Sequence, residues 1–164
     1  MKRTLLFALA LIAIPPVALE AQDPQLQLKP VAEYVPGMLE QDDSVFTNTR
    51  YVARRCAGLF ILLAVQMRER AEAGDDDALA AALSYLQRVQ GFISIATTLD
   101  PLYEQREDEV VERTNAAIKD IADILTERMN RNYAISGQLW GEDTMILSDM
   151  EVCAAIAEKT FGEG

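Results

Sequence analysis

The residues of this sequence that could do chemistry are two cysteines and many carboxylates, and the chain contains no histidine. Cys56 and Cys153 lie far apart, and neither belongs to a C-x-x-C motif of the kind that lowers a thiol pKa. The lack of histidine excludes a histidine-based triad, a histidine-ligated zinc site and c-type haem attachment. Nucleophile and phosphate-loop motifs such as G-x-S-x-G and S-x-x-K are also absent. The sequence therefore predicts no catalytic residue.

Carboxylates are the remaining candidates for a metal site. Glu104, Asp108 and Glu112 recur every four residues, so they share one face of a helix. A di-iron bundle needs inward carboxylates together with Glu-x-x-His motifs, and these three lie off the apolar stripe of their helix. The run Asp75–Asp77 lacks the spacing of an EF-hand loop. We interpret these carboxylates as solvated charge, and we predict neither a metal nor a cofactor.

The two cysteines predict a structural crosslink. Cys56 falls on the apolar stripe of the first long helix, and Cys153 falls on the apolar stripe of the last. Two cysteines that face one core in an exported protein are expected to form a disulfide. The alternative is a pair of buried free thiols, which are common core residues.

A small basic group, Arg50, Arg54 and Arg55, stands just before the first cysteine. Pairing with acidic residues of a neighbouring helix is the default interpretation, and anion binding is the alternative. Asp149 precedes Cys153 by one helical turn. If the first and last helices pack side by side, Asp149 can reach Arg54 or Arg55 near the disulfide.

Three aromatic or flexible side chains are weak candidates for binding a partner: Tyr34, Met38 and Trp140. Tyr34 and Met38 belong to an apolar stretch that either packs on its own domain or docks on another protein. Trp140 sits beside a glycine in the last loop, where it either covers the end of its own core or anchors an interface.

The chain that must position these residues begins with an export signal. Residues 1–21 combine a basic start with an uncharged, mostly apolar run up to Leu19. Cleavage is expected after Ala21, with Ala18 as the alternative site. A retained membrane anchor is the other interpretation, but the run is short for a bilayer span and two prolines interrupt it. This pattern predicts a periplasmic or secreted protein with no stable membrane span after cleavage.

The mature chain divides into a proline-containing arm over residues 22–43 and a helical domain over residues 44–164. Apolar periodicity predicts four helices, with no alternating strand pattern. Their expected bounds are Val45–Glu72, Asp75 or Asp76 to Asp100, Pro101–Tyr133 and Glu142–Thr160. An all-α four-helix bundle is the economical fold, and an irregular orthogonal packing is the alternative.

Two apolar stretches set the expected core. The run from Ala57 to Val65 is apolar on every face, which predicts that the first helix is central. The second helix is expected to bury a single stripe along its length. The members of that expected stripe are Leu79, Leu83, Leu86, Val89, Ile93 and Ala96.

Composition bounds the function. The 164 residues carry a net charge of −11, and removal of residues 1–21 leaves 13 basic and 25 acidic residues, a net charge of −12. So acidic a chain is not expected to bind nucleic acid. We predict a non-catalytic envelope protein that binds another protein as an accessory subunit, adaptor or chaperone-like binder. The alternatives are a carrier of a small apolar ligand and a carboxylate-based hydrolase of envelope polymers. The oligomeric state is left open.

Overall fold

The computed structural model describes residues 28–39, 44–141 and 143–162. Within these ranges the chain forms four α-helices and no strand, which confirms the prediction of an all-α, bundle-like domain. The expected signal peptide, residues 1–21, and the rest of the arm, residues 22–27 and 40–43, lie outside the described residues. The helices are α1 (Ser44–Glu72), α2 (Asp76–Thr98), α3 (Glu107–Ser136) and α4 (Thr144–Phe161).

The largest difference from the expected bounds is the start of α3, which begins at Glu107 rather than Pro101. Residues 101–105 form turns instead of helix. The Asp100 carboxylate accepts the Leu102 amide at 3.0 Å and so stabilises a tight turn. Arg106 then adopts a non-helical conformation with φ −145° and ψ 55°. The connection between α2 and α3 is therefore an ordered loop of turns, and α3 does not follow α2 directly.

Helix α1 is the central element, because its contacts with α2, α3 and α4 are more extensive than those of any other described helix. Its middle is buried on nearly every side, as the apolar run predicts. Burial fades toward the end of that run, since Val65 is 38% exposed. Phe60 of α1 stacks on Phe92 of α2 at 5.8 Å between ring centroids, and Phe92 meets the edge of Phe161 of α4 at 5.2 Å. These rings join three helices, from the core at Phe60 and Phe92 to the partly exposed end of α4 at Phe161.

The predicted buried stripe of α2 is wrong in its first half. Leu79, Leu83 and Leu86 are 55%, 55% and 48% exposed. The inward positions there are Ala78 and Ala82. Alanines let α2 lie close to α1, and the larger leucines then fall on the outer side. The second half of the stripe is closer to the expectation, with two of its positions, Val89 and Ala96, buried.

Helices α1 and α3 approach closely at Gly58. A Cβ added there would lie 2.9 Å from Ile121 Cγ2 and 3.4 Å from the Ala122 backbone nitrogen. We expect Gly58→Ala to lower the free energy of unfolding by about 1–3 kcal/mol, because α3 must shift to admit the methyl group. Urea denaturation measures this change.

The matched control is Gly91→Ala in α2. Its Cβ would meet the ring of Phe161, a residue at the very end of α4 that is 39% exposed and has room to move. Replacing a helical glycine with alanine also gains up to about 1 kcal/mol of helix propensity. Gly91→Ala should therefore change stability far less than Gly58→Ala, and equal losses in the two variants would contradict a rigid α1–α3 contact.

Candidate functional site

The predicted disulfide is present. Cys56 of α1 and Cys153 of α4 are bonded, with 5.4 Å between their Cα atoms and a sequence separation of 97. Both are completely buried. The bond links the central helix to the last one.

The predicted ion pair beside the disulfide forms between Arg55 and Asp149. Arg55 Nε and Nη2 lie 2.8 and 2.7 Å from Asp149 Oδ2. The two side chains are 0% and 1% exposed, so the pair is shielded from water. Arg55 is adjacent to Cys56, and Asp149 lies one turn before Cys153. The crosslink and the ion pair therefore lie side by side between α1 and α4.

The N-terminal arm is hydrogen-bonded to the carboxylate of the same ion pair. The Val31 amide donates to Asp149 Oδ1 at 2.7 Å, so the carboxylate uses both oxygens. Val31 is itself completely buried. Residues 31–38 therefore pack on their own domain, which is one of the two interpretations left open by the sequence.

Two other residues of the arm, Tyr34 and Met38, also pack against the helical domain. The Tyr34 ring lies 4.2 Å from the Tyr51 ring, centroid to centroid, and Met38 is partly buried against the core. Burial raises the pKa of Tyr51 to about 12, with Tyr34 and Asp149 adding to the shift and the Arg55 charge opposing it. Tyr51 therefore stays protonated and neutral at physiological pH. Both arm candidates already have contacts within this chain.

Trp140 lies in the loop between α3 and α4, partly buried against the core. Close to it, Asp143 caps α4 by accepting the Met145 and Ile146 amides, each at 3.2 Å. Asp143 also pairs with Arg128 of α3. Burial alone would raise the pKa of Asp143, but its hydrogen bonds and the Arg128 charge outweigh burial and lower it. This loop is held by polar contacts on both sides of the tryptophan.

The expectation that Glu104, Asp108 and Glu112 share one helix face is wrong for Glu104, which lies in the turns before α3, and all three carboxylates are exposed. No group of three potential ligands among the described residues is placed to hold a metal ion. Likewise, none of the described helices is long and apolar enough to cross a bilayer.

One apolar feature of the surface is the outer side of α2, which we call the leucine face and define as Leu79, Leu83 and Leu86. These residues follow the i, i+4, i+7 spacing of one helix face and extend about 10 Å along the axis. Each exposes about half of its surface. Single exposed leucines are ordinary on protein surfaces, but a contiguous apolar strip is typical of an interaction site.

The leucine face is also free of charge in a highly charged protein. Arg88 is the one charged residue in the sequence between Ala78 and Leu99. Its guanidinium lies 5.6 Å from the centroid of the Phe60 ring, so it packs over the aromatic core. The exposed residues of α2 next to Leu83 and Leu86, such as Gln87, are neutral, and exposed charge enters only at the N-terminal end of the face, at Asp76 and Asp77.

Sequence reasoning missed the leucine face because it assigned these leucines to the core. A usable signal was present: this part of α2 has two apolar stripes, one of alanine and one of leucine, so burial of one stripe can leave the other facing solvent. Comparison of this chain with family models, curated proteins and solved structures found no match. Its function is therefore argued from the residues themselves.

Proposed function

We propose that this is an exported, non-catalytic helical protein that binds another protein of the cell envelope through the leucine face. The observation that carries the proposal is the exposure of Leu79, Leu83 and Leu86, at 55%, 55% and 48%, on one uncharged side of α2. Covering such side chains removes apolar surface from water, at roughly 25 cal/mol per Å². An accessory subunit or adaptor has this kind of surface.

Export is supported by two independent features. The first is the basic and apolar pattern of residues 1–21, which is typical of a signal peptide. The second is the buried Cys56–Cys153 disulfide, a bond that persists in oxidising compartments such as the periplasm or the cell exterior.

The charge of the chain favours a partner of different sequence over a second copy. Two copies of this chain repel each other, because each carries a net charge of −11, or −12 without residues 1–21. A basic partner is instead attracted electrostatically, which speeds its association with this protein. Asp76 and Asp77 are exposed at the N-terminal end of the leucine face. The partner we propose has an apolar ridge that covers the leucines and basic side chains that lie opposite these aspartates.

The alternative of a carboxylate-based hydrolase is less well supported. A carboxylic acid that donates a proton at neutral pH needs a raised pKa. At Asp100 and Asp143, burial favours such a rise, but hydrogen bonds and neighbouring arginines outweigh it and the pKa of each carboxyl is lowered. The carrier alternative has no observation in its favour between α1 and α2, where the rings of Phe60 and Phe92 stack directly on each other.

Site-specific photo-crosslinking in the source cells tests the proposal. A photoreactive residue is placed at Gln87, beside the leucines, and at Ala116, an exposed uncharged position on α3. We expect a single crosslinked protein from Gln87 and none from Ala116. Addition of Leu83→Ser should reduce the Gln87 crosslink at least tenfold, because it places a polar group in the centre of the leucine face.

The identity of the crosslinked protein decides between the outcomes. A partner with a basic, apolar surface supports the proposal. A crosslink to a second copy of this chain would replace it with self-association, and equal labelling from Gln87 and Ala116 would refute it. Circular dichroism of Leu83→Ser separates lost binding from lost folding, and we expect the spectrum to be unchanged because the side chain is 55% exposed.

A further inference from the structure

A second feature, built from residues other than the leucine face, is a cluster of three arginines around one carboxylate. Asp100, between α2 and α3, accepts hydrogen bonds from Arg50 of α1 and Arg113 of α3, each at 2.8 Å. Its carboxylate is 2% exposed. Arg54, one turn after Arg50, lines the same cleft.

Asp100 is held in its ionised form. Burial alone would raise its pKa, but the Leu102 amide and the guanidinium groups of Arg113 and Arg50 outweigh burial and lower it. The carboxylate therefore contributes one full negative charge and organises two arginines. Each of these arginines has further N–H groups beyond the one that Asp100 accepts, because a guanidinium has five donors.

Arg54 is the unneutralised member of the cluster. No carboxylate among the described residues lies within salt-bridge distance of it, and its side chain makes a long hydrogen bond of 3.5 Å to the Thr114 hydroxyl. Burial and the positive charges of Arg50 and Arg113 lower the pKa of Arg54, against the opposing effect of Asp100. This arginine lies in a local excess of positive charge.

The cleft has room for a ligand. Its volume is about 430 Å³, and its lining includes the side chains of Thr47 and Tyr51 beside the three arginines and Asp100. Three arginines and one aspartate leave a formal charge of +2 in the cleft. A phosphate monoester carries about −1.5 to −2 at neutral pH and has three acceptor oxygens.

We propose that this cleft binds a phosphate monoester, with Arg54 as the principal charge partner and Arg50 and Arg113 as additional donors. Arginine is suited to this role because its planar fork can donate two parallel hydrogen bonds to phosphate oxygens. A singly charged carboxylate would leave one positive charge in the cleft uncompensated. The cluster is therefore better matched to a dianion.

A neighbouring cleft indicates where the organic part of the ester lies. It shares Arg50 and Asp100 with the arginine cleft and has a volume of about 610 Å³, and its lining includes Phe46, Tyr103 and one acidic residue, Glu104. Phe46 is 52% exposed, so its apolar surface is available to a ligand. Either a free phosphate ester or the headgroup of a phosphate-bearing lipid has this combination of a dianion and an organic group.

Isothermal titration of the mature, oxidised chain at low salt tests the site with three probes: glycerol 3-phosphate, inorganic phosphate and acetate. We expect the two phosphates to bind and acetate to bind at least tenfold more weakly. Arg54→Gln should weaken phosphate binding at least tenfold. The control Arg68→Gln removes the same charge from α1 at an exposed residue paired with Glu72, and it should leave binding unchanged.

Each alternative outcome is distinct. The proposal would be overturned if neither phosphate bound at low salt, or if acetate bound with the same affinity as the phosphates. Equal weakening by Arg54→Gln and Arg68→Gln would attribute binding to overall charge and would also overturn it. Arg113→Gln, whose side chain is 46% exposed, provides a second cluster variant if Arg54→Gln fails to fold. Flotation with vesicles that contain phosphatidic acid, compared with vesicles that lack it, separates a lipid headgroup from a free ester.

Discussion

Asp149→Ala is expected to lower the free energy of unfolding by about 3–5 kcal/mol, the largest effect of any single substitution considered for this protein. The variant leaves the Arg55 guanidinium charged, fully buried and without its counter-ion. It also removes the acceptor of the buried Val31 amide. Urea denaturation of the oxidised protein, followed by circular dichroism, measures the loss.

Two further variants make this prediction specific. Asp123→Ala removes a carboxylate paired with Lys119 on the surface, where the two side chains are 63% and 74% exposed, and should cost less than about 1 kcal/mol. The double variant Arg55→Met with Asp149→Leu removes both buried charges together and should recover the part of the loss that comes from the unpaired Arg55 charge, while the Val31 amide still lacks its acceptor. If Asp149→Ala and Asp123→Ala had the same effect, the ion pair would not be shielded from solvent.

Removal of the disulfide is expected to have the second largest effect. The double variant Cys56→Ala with Cys153→Ala should lower the free energy of unfolding by about 2–4 kcal/mol, because the bond restricts a loop of nearly 100 residues in the unfolded chain. Replacing both cysteines avoids leaving one reactive thiol in the core.

A reductant provides the control for the disulfide. Dithiothreitol should destabilise the natural chain to about the level of the double variant and should not affect the variant itself. A natural chain that is as stable reduced as oxidised would contradict a stabilising role for the bond. In that case the bond would indicate an oxidising compartment but would not contribute to stability.

The disulfide and the ion pair were predictable because they follow from fixed helical offsets. Cys56 and Cys153 both fall on apolar stripes, so they face the same core. Arg55 is adjacent to one cysteine and Asp149 lies one turn from the other, so a side-by-side packing of the two helices brings them together. A few residues of known spacing were enough to specify this contact.

The leucine face was not predictable in the same way. Alanine and leucine are both apolar, so the periodicity of α2 does not say which stripe turns inward. That choice depends on how closely α2 packs against α1, which is set by side-chain size on both helices. Here Ala78 and Ala82 face inward, and the leucines remain outside.

The arginine cluster at Asp100 was not predictable from the sequence, because it depends on how the helices are aligned with one another. Arg50 and Arg113 come from helices that are separated in sequence, and their meeting at one carboxylate depends on the register between α1 and α3. The sequence alone indicated a basic group before Cys56 and placed Asp100 at the expected end of the second helix. It contained no sign that Arg113 would complete the group.

The position of the last helix has a consequence for when this protein can fold. Both the Val31 amide and Cys56 have their partners in α4, and the hydrogen bond from Val31 to Asp149 joins residues 118 positions apart. A growing chain lacks both partners until α4 has been synthesised. The arm and α1 therefore cannot form these two links while only α1, α2 and α3 exist, because contacts of such high sequence separation need both ends of the loop. The packed arrangement of the arm and α1 is thus completed late, after the three preceding helices have been made.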